Sequence, residues 1–198
     1  MHFIFATHNT HKLQEVAAML PPPLQFSTLC ELNHHTEIPE TRDTILGNAL
    51  QKVETVWDLY QKNCFAEDTG LLVKALNDEP NVYTARYAGE HKNSVDNINL
   101  LLKNLAPYED RAARFVTVFA LIINGQSYTF EGVCAGSIAQ QPAGEQGFGY
   151  DPIFIPNGYT TTFAQMNQKI KHNISHRGRA LAQMVAFINN YIQNNPVY

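Results

Sequence analysis

The chain has 198 residues, of which 44% are hydrophobic and 16% charged, and its formal net charge at pH 7 is −4. This composition excludes a disordered chain and is typical of a globular protein that buries a substantial core. The acidic balance provides no basic field for a nucleic-acid backbone, so no nucleic-acid partner is expected, although a few local lysines and arginines suffice to bind one small polyanion.

The sequence also argues against a secreted, membrane-bound or disulfide-linked protein. The apolar run Phe3 to Ala6 is too short for the core of a signal peptide. The longest apolar stretch, 115–123, is far shorter than the roughly 20 residues of a membrane helix. Cys30, Cys64 and Cys134 are far apart, which argues against a disulfide framework or a zinc site. We therefore expect a cytoplasmic protein with no membrane partner.

The N-terminal part of the chain predicts alternating strands and helices. A short buried strand covers His2 to Thr7, a helix covers 10–20, and a second strand lies near Leu24 to Leu29. A longer helix begins near Asp43, and a strand over 63–68 ends in acidic residues. The inward-facing residues, spaced three or four positions apart, are Leu13, Val16, Ala17 and Leu20 in the first helix and Ala49, Val53, Val56 and Tyr60 in the second.

The middle of the chain predicts a helix, a hairpin and a loop. Residues 93–104 have a helical pattern. Strands over 115–123 and 128–138 flank Asn124-Gly125, a dipeptide that favours a two-residue hairpin turn. A glycine-rich loop spans 140–151.

A last helix begins at Ser175, and its polar end, about 190–198, is expected to fray. Its apolar stripe consists of Leu181, Met184, Val185, Ile188 and Ile192. No repeat, linker or break in composition divides the chain, so 1–198 is interpreted as one domain. The order of elements indicates an α/β fold. We expect two lobes, a mixed central sheet flanked by helices, and an active site in the cleft between the lobes.

The segment T-H-N-T-H-K (7–12) lies at a predicted strand-to-helix junction. The first N–H groups of a helix are unpaired and its dipole favours an anion, so this loop is a candidate phosphate site. Lys12 in the first turn opposes the dipole unless an anion compensates for it. Capping by Asn9 or Thr10, with an exposed lysine, explains the pattern equally well at this point.

The segment Glu67-Asp68-Thr69-Gly70 follows a predicted strand. Adjacent carboxylates repel each other, so a cation is expected nearby. Magnesium suits such a site because it takes one or two carboxylates and shares its other positions with phosphates and water. Glu40, upstream in an acidic loop, is a candidate second ligand. A solvated turn at Gly70 is the alternative interpretation.

The segment Gly147 to Pro152 places two glycines around an aromatic residue. Glycine allows close approach of the backbone, and a ring beside a carboxylate is what base stacking with edge recognition needs. The segment is not a dinucleotide fingerprint, which needs G-x-G-x-x-G between a strand and a helix. Alone it is a weak signal.

The segment Ile174 to Gly178 places two cations at a helix start. Ser175 is a good N-cap, so His176 and Arg177 occupy the first turn, where each opposes the dipole at a cost of about 0.3–1 kcal/mol. A ligand acceptor or an anion would compensate for them, and Lys171 lies just upstream. The cluster predicts a ligand-binding role.

Taken in order, these segments closely resemble the inosine triphosphate pyrophosphatase family, the RdgB-like nucleotide house-cleaning enzymes. The matching stretches are T-H-N-T-H-K (7–12), P-E-T (39–41), N-A-L-Q-K (48–52), E-D-T-G-L (67–71), V-Y-T-A-R-Y-A-G (82–89), F-G-Y-D-P-I-F (148–154) and I-S-H-R-G-R-A-L (174–181). The likeness extends from about residue 2 to residue 192, and motifs in this order and spacing are highly specific.

The resemblance implies a role for each matching residue. The implied catalytic residues are Asp68, a general base, and Lys52, and the implied magnesium ligands are Asp68 and Glu40. The implied substrate-binding residues are Thr7, His8, Asn9, Thr10, His11, Lys12, Thr69, Phe148, Gly149, Tyr150, Asp151, Lys171, His176 and Arg177.

The chain departs from the commonest family pattern at four positions. Glu67 stands where many bacterial members have aspartate, Gly47 and Gln165 where glutamate is frequent, and Asn81 where glycine is frequent. Gly47 leaves one fewer acid near the metal, and none of the changes removes a residue with an implied chemical role.

The resemblance implies a homodimeric enzyme that uses magnesium to hydrolyse deaminated purine nucleoside triphosphates (ITP, dITP and XTP) to the monophosphate and pyrophosphate. Water attacks with the help of Asp68 and the metal. Hypoxanthine and xanthine present an acceptor at position 6 where adenine presents a donor. We therefore expect Arg177 or His176 to face O6, because adenine would leave that donor unpaired.

Two alternatives stay open. A Maf-like pyrophosphatase would act on other modified nucleotides, but the F-G-Y-D and S-H-R segments speak against it. A nucleotide-binding regulator without turnover would not need the carboxylates.

Overall fold

A computed structural model of the protein describes residues 1–195. Its strands are β1 (His2–Phe5), β2 (Gln25–Thr28), β3 (Cys64–Val73), β4 (Glu79–Asn81), β5 (Ala112–Ile123), β6 (Gln126–Ile138) and β7 (Phe154–Pro156). Its helices are α1 (Thr10–Met19), α2 (Ile45–Tyr60), α3 (Ser94–Leu105), α4 (Gln168–Ile174) and α5 (His176–Asn194). Among these described residues, no helix combines the length and the apolarity needed to cross a membrane.

The strands form one mixed sheet. Its order is β2-β1-β3-β5-β6-β7, and β4 pairs with β3 off this path. Strand β1 is parallel to both β2 and β3, while the β3–β4 and β6–β7 pairs are antiparallel. The prediction of an α/β fold with a mixed sheet and flanking helices is confirmed.

The chain divides into two compact units. Unit 1 consists of residues 1–68, 117–132 and the chain from Arg177 onward, and unit 2 of residues 69–116 and 133–176. The core of unit 1 includes Phe3, Phe5, Val16, Phe65, Phe119, Leu181, Met184 and Ile188. The core of unit 2 includes Leu71, Leu101, Phe115, Tyr150, Phe154 and Phe163. Each unit therefore buries its own apolar side chains.

Local sequence signals explain where several elements begin and turn. Asn9, Thr44 and Asn93 cap α1, α2 and α3 through side-chain oxygens that accept backbone N–H groups. Asn124 and Gly125 have φ angles of 50° and 77°, the left-handed values that a tight hairpin turn needs. The predicted hairpin is confirmed.

The apolar faces follow the predicted periodicity with one exception. Leu181, Met184 and Ile188 of α5 are buried, as are Ala49, Val53 and Val56 of α2. In α1 Val16 is buried, but Ala17 is exposed, so the prediction for that residue is wrong. A helix of this length at the edge of the core buries a narrower stripe than its apolar residues suggest.

Several elements differ from the prediction. Strand β3 does not end at its acidic residues but continues to Val73, because cations from distant segments pair with both carboxylates. Helix α5 continues to Asn194, so the expected fraying is wrong for 190–194, whereas 196–198 lie outside the described residues. The short helix α4 was not predicted, and Ser175 both ends α4 and precedes α5.

Candidate active site

The 7–12 loop leads from β1 into α1 and is held by its own polar groups. Asn9 accepts the backbone N–H of Lys12 at 3.1 Å, and the N–H of Asn9 is 3.2 Å from Thr7 Oγ1. His8 Nε2 lies 2.9 Å from the carbonyl oxygen of His34. Capping by Asn9 is thus confirmed, while the exposed lysine of that interpretation is wrong, because only 15% of the Lys12 side chain is exposed.

A buried lysine joins the two predicted metal ligands in unit 1. Lys52 Nζ donates to Glu40 Oε1 at 2.7 Å and to Asp68 Oδ1 at 2.9 Å. Exposure is 5% for the Lys52 side chain, 10% for Asp68 and 39% for Glu40. Because both carboxylates contact one Nζ, they lie within two hydrogen-bond lengths of each other. We call these three residues the carboxylate–lysine cluster.

The charge state of Lys52 follows from these contacts. Burial alone would lower the pKa of its ammonium group, but the carboxylates of Asp68 and Glu40 outweigh burial and raise that pKa. Lys52 therefore stays protonated at neutral pH and keeps the two acids together.

A second group of charges in unit 1 surrounds Arg177. Its Nε donates to Glu67 Oε1 at 2.9 Å and its Nη1 to Glu15 Oε2 at 2.6 Å. Lys12 Nζ lies 3.5 Å from the same Glu67 Oε1. Burial alone would raise the pKa of Glu67, but Arg177 and then Lys12 bring it down to about 2. We call these four residues the Arg177 network.

The Arg177 network changes the explanation for the cation at the start of α5. A cation at the start of α5 needs a compensating acceptor, for which the sequence predicts the purine O6. Glu67 and Glu15 already provide two acceptors within the protein, so the dipole no longer requires a ligand there. The contact of Arg177 with a base stays a prediction, without that electrostatic support.

The loop 147–151 in unit 2 is organised around the carboxylate of Asp151. Asp151 Oδ2 accepts the backbone N–H of Phe148 at 2.8 Å and the Nζ of Lys171 at 2.7 Å. Gly147, at φ 78°, lies against the same carboxylate, and a Cβ there would overlap its Oδ2. At Gly149 the φ is 61° and a Cβ would meet no atom within 4 Å. Gly147 is thus required by packing, whereas Gly149 is required by its backbone angle alone.

Aromatic rings pack against Lys171 and His176 in unit 2. Lys171 Nζ lies 5.5 Å from the centre of the half-buried Phe148 ring and 5.7 Å from that of Phe163. The ring of His176 stacks on Phe115, with centroids 4.4 Å apart and an interplanar angle of 17°. Packing therefore fixes the orientation of His176, while Asp151 and the rings fix Lys171.

Tyr150 differs from the other residues of its motif. Its side chain is buried, and its hydroxyl donates to the carbonyl oxygen of Thr84 at 3.1 Å. Burial raises the pKa of this hydroxyl well above its ordinary value. The ring between the two glycines is that of Phe148, which is half-buried, whereas the side chain of Tyr150 anchors the loop.

The predicted residues fall into two sets, one in each unit. Unit 1 contains the 7–12 loop, Glu40, Lys52, Asp68 and Arg177, and unit 2 contains Thr69, 148–151, Lys171 and His176. The unit boundaries fall between Asp68 and Thr69 and between His176 and Arg177, so each of these motifs contributes to both units. Thr69 is half-buried in β3, and His8, Thr10 and His11 are exposed.

Two residues that contact the predicted site residues are not indicated by the sequence. Glu15 was not singled out, although it lies three residues after Lys12 and so on the same face of α1. Phe163 lies close to both Lys171 and His176, and no local pattern distinguished it from other core phenylalanines.

The carboxylate–lysine cluster fits magnesium better than a metal held by protein ligands alone. In residues 1–195 no group of three or more histidine, cysteine, aspartate or glutamate side chains is arranged to hold a metal ion. Magnesium commonly uses one or two carboxylates and completes its shell with phosphate and water. Asp68 and Glu40 match that donor set, since both are oxygen ligands held together by Lys52.

Comparison with known proteins agrees with this fold. The Ham1 family matches residues 3–187, and the chain belongs to that family. Its relatives include proteins named dITP/XTP pyrophosphatase in Flavobacterium johnsoniae, 46% identical over 93% of this chain and 96% of that one, and in Porphyromonas gingivalis, 47% identical over the same shares.

Solved structures agree with this fold and with membership of the Ham1 family. The Staphylococcus aureus Ham1 protein superposes with a TM-score of 0.88 at 36% identity, covering 96% of this chain and 100% of that one. The nucleoside-triphosphatase / dITP/XTP pyrophosphatase of Mycobacterium abscessus superposes with a TM-score of 0.76 at 40% identity, covering 93% and 98%.

Proposed function

We propose that this Ham1-family protein hydrolyses dITP, XTP and ITP to the nucleoside monophosphate and pyrophosphate. The enzyme class, nucleoside triphosphate pyrophosphatase, follows from the family and from relatives that carry the name dITP/XTP pyrophosphatase. The observation that carries the proposal is the carboxylate–lysine cluster, in which Lys52 holds Asp68 and Glu40 together. A protein that only binds nucleotides would not need two acids so close to each other.

Asp68 is proposed as the group that accepts the proton of the attacking water. Its Oδ1 accepts a hydrogen bond from Lys52 at 2.9 Å, which fixes the orientation of the carboxylate. Lys52, protonated at neutral pH, would also stabilise charge that accumulates on the departing pyrophosphate. Lys12 and the N–H groups at the start of α1 are proposed to bind phosphate oxygens.

Magnesium is proposed as the cofactor, with Asp68 and Glu40 as its protein ligands. When bound, it would neutralise phosphate oxygens and stabilise negative charge. The charge balance of unit 1 supports this requirement. Its two named clusters contain more carboxylates (Glu15, Glu40, Glu67 and Asp68) than cations (Lys12, Lys52 and Arg177). A triphosphate would therefore meet net repulsion without a divalent cation.

The purine base is proposed to bind the set in unit 2. Phe148 offers a half-buried ring for stacking, and Lys171 and His176 are donors with fixed positions. Donors that face O6 favour hypoxanthine and xanthine, because adenine has a donor at that position and would leave them unpaired.

The test is a nucleotide panel of dITP, XTP, ITP, ATP and GTP, with and without magnesium, in which pyrophosphate and orthophosphate are measured separately. We expect pyrophosphate as the first phosphorus product from the deaminated nucleotides, and no turnover when the metal is chelated. Release of single phosphates through the diphosphate contradicts the proposed reaction. If only other modified nucleotides were hydrolysed, the Maf-like alternative would be favoured. Tight binding of nucleotides without turnover would favour the nucleotide-binding regulator. The proposed homodimer is tested by sedimentation of the same sample.

A further inference from the structure

Glu67 forms the centre of the Arg177 network. A single oxygen, Glu67 Oε1, contacts Arg177 Nε at 2.9 Å and Lys12 Nζ at 3.5 Å. The side chain of Glu67 has no solvent exposure, and that of Arg177 is 3% exposed. One carboxylate on β3 therefore determines where two cations lie, one at the start of α1 and one at the start of α5.

Glu15 makes this arrangement a chain of alternating charges. It binds the other side of the Arg177 guanidinium at 2.6 Å and lies on α1, three residues after Lys12. The order is Lys12, Glu67, Arg177 and Glu15, so α1 contributes both ends. Because guanidinium is planar and its donors are rigid, two carboxylates fix both its position and its tilt.

Glu67 belongs to a different set of contacts from its neighbour Asp68. Successive side chains of a strand point to opposite faces, and the two acids make different ion pairs, although Lys52 also acts on Glu67 through its charge. Asp68 pairs with Lys52, while Glu67 pairs with Arg177 and Lys12. A change at Glu67 can thus be made without removing a contact of the carboxylate–lysine cluster.

Stability alone does not explain such a network. Replacing a buried ion pair by apolar residues is often neutral or stabilising, so charged side chains at these positions are not needed to build a core. The Lys12 contact, at 3.5 Å, is longer than a charge-assisted hydrogen bond of 2.7–2.9 Å. An ammonium group has three donors, so Lys12 is directed by Glu67 while it retains capacity for a further acceptor.

We propose that Glu67 is a positioning residue that aims Lys12 at the phosphates of the substrate and holds Arg177 in place. It touches neither substrate nor metal. The inference rests on the proposed function for the assignment of Lys12 to phosphate.

The test is a double-mutant cycle read by calorimetric binding of magnesium tripolyphosphate, which has no base and needs no turnover. Glu67→Gln keeps the shape of the side chain and removes its charge. We expect it to weaken binding about tenfold or more in the wild-type background, and less than about twofold in the Lys12→Met background. Glu67→Asp keeps the negative charge but shortens the side chain by one methylene group. Its effect on tripolyphosphate binding should therefore lie between those of the wild-type residue and of Glu67→Gln. Asp110→Asn removes the carboxylate of the exposed Lys74 pair and is the matched control, with no expected change.

An equal loss of affinity in both backgrounds, or reduced thermal stability with unchanged affinity, overturns the inference, because Glu67 would then serve folding alone. Absence of tripolyphosphate binding by the wild-type protein also overturns it. If Glu67→Gln does not fold, the same cycle is run with Glu67→Asp. A protein that shows the coupling but hydrolyses no nucleotide would refute the proposed function and leave this inference standing. A protein that releases pyrophosphate, but in which the effects of the Glu67 and Lys12 substitutions on binding are additive, would refute this inference and leave the proposed function standing.

Discussion

Replacing Arg177 by alanine should destabilise the protein strongly, and more at pH 7 than at pH 4. The change removes the Arg177 guanidinium, which lies 2.9 Å from the fully buried Glu67 carboxylate. The remaining ion-pair partner of Glu67 is then Lys12, 3.5 Å away. Breaking a buried pair in this way costs about 3–5 kcal/mol. The pKa of Glu67 is lowered from an ordinary 4.5 to about 2. At 1.36 kcal/mol per pKa unit, this difference corresponds to about 3 kcal/mol of folding free energy at neutral pH. The helix dipole alone predicts the opposite sign, a small gain in stability.

The pH dependence follows from the direction of the shift. In the wild-type protein the folded pKa of Glu67 is lowered, so its contribution is fully present above about pH 4.5 and is lost as the pH falls toward 2. Without Arg177 the largest cause that lowers this pKa is lost, so the folded pKa of Glu67 rises relative to that in the wild-type protein. The folded variant therefore protonates Glu67 at a higher pH than the wild-type protein does, and its deficit against wild type should shrink between pH 7 and pH 4.

The measurement is the free energy of unfolding in urea at pH 7, 5.5 and 4 for both proteins. Arg114→Ala is the control, since Arg114 pairs with Asp78 and both side chains are 42% exposed. That control should lose less than about 1 kcal/mol. A deficit below about 1 kcal/mol for Arg177→Ala at pH 7, or an equal deficit at pH 7 and 4, would refute the assignment of Arg177 as the main partner of Glu67.

Three further predictions concern single residues. Asp68→Asn should lower kcat by roughly 10²–10⁴-fold at saturating magnesium, and near-normal turnover would exclude Asp68 as the base. Arg177→Lys should lower the ratio of kcat/KM for ITP to that for ATP by about tenfold or more if a donor to O6 is lost, whereas equal losses on both nucleotides would assign Arg177 to phosphate or folding. Tyr150→Phe removes the bond to Thr84 and should cost about 1 kcal/mol of stability with little change in kcat, and a large fall in kcat would show that the hydroxyl has a chemical role.

Local patterns in the sequence were sufficient where the structure depends on neighbours along the chain. The Asn124-Gly125 hairpin and the stripe of Leu181, Met184 and Ile188 depend on turn chemistry and helical spacing, and both were predicted. The Asn9 cap was anticipated for the same reason.

Long-range pairing explains what the sequence did not reveal. The segment E-D-T-G looks like a strand end because unpaired acids are rarely buried, yet β3 continues through it. Glu67 is neutralised by a residue 110 positions away, and Glu15 meets a partner 162 positions away. Likewise the sequence indicates Lys171 and Asp151 only as two separate residues, because nothing in their spacing of 20 predicts a contact. The chemical types at the site were readable from sequence, whereas their partners were not.

The separation between Glu67 and Arg177 affects how the protein folds as it leaves the ribosome. Chains are made from the N-terminus at about 5–20 residues per second, and contacts distant in sequence form late. Strand β3 emerges well before the first turn of α5, so the Glu67 carboxylate has no guanidinium partner until Arg177, 110 positions later, has been made. During that interval the centre of β3 would stay hydrated, because burying an unpaired carboxylate is costly. We therefore expect a nascent chain halted before residue 177 to be far more sensitive to protease around β3 than the finished protein.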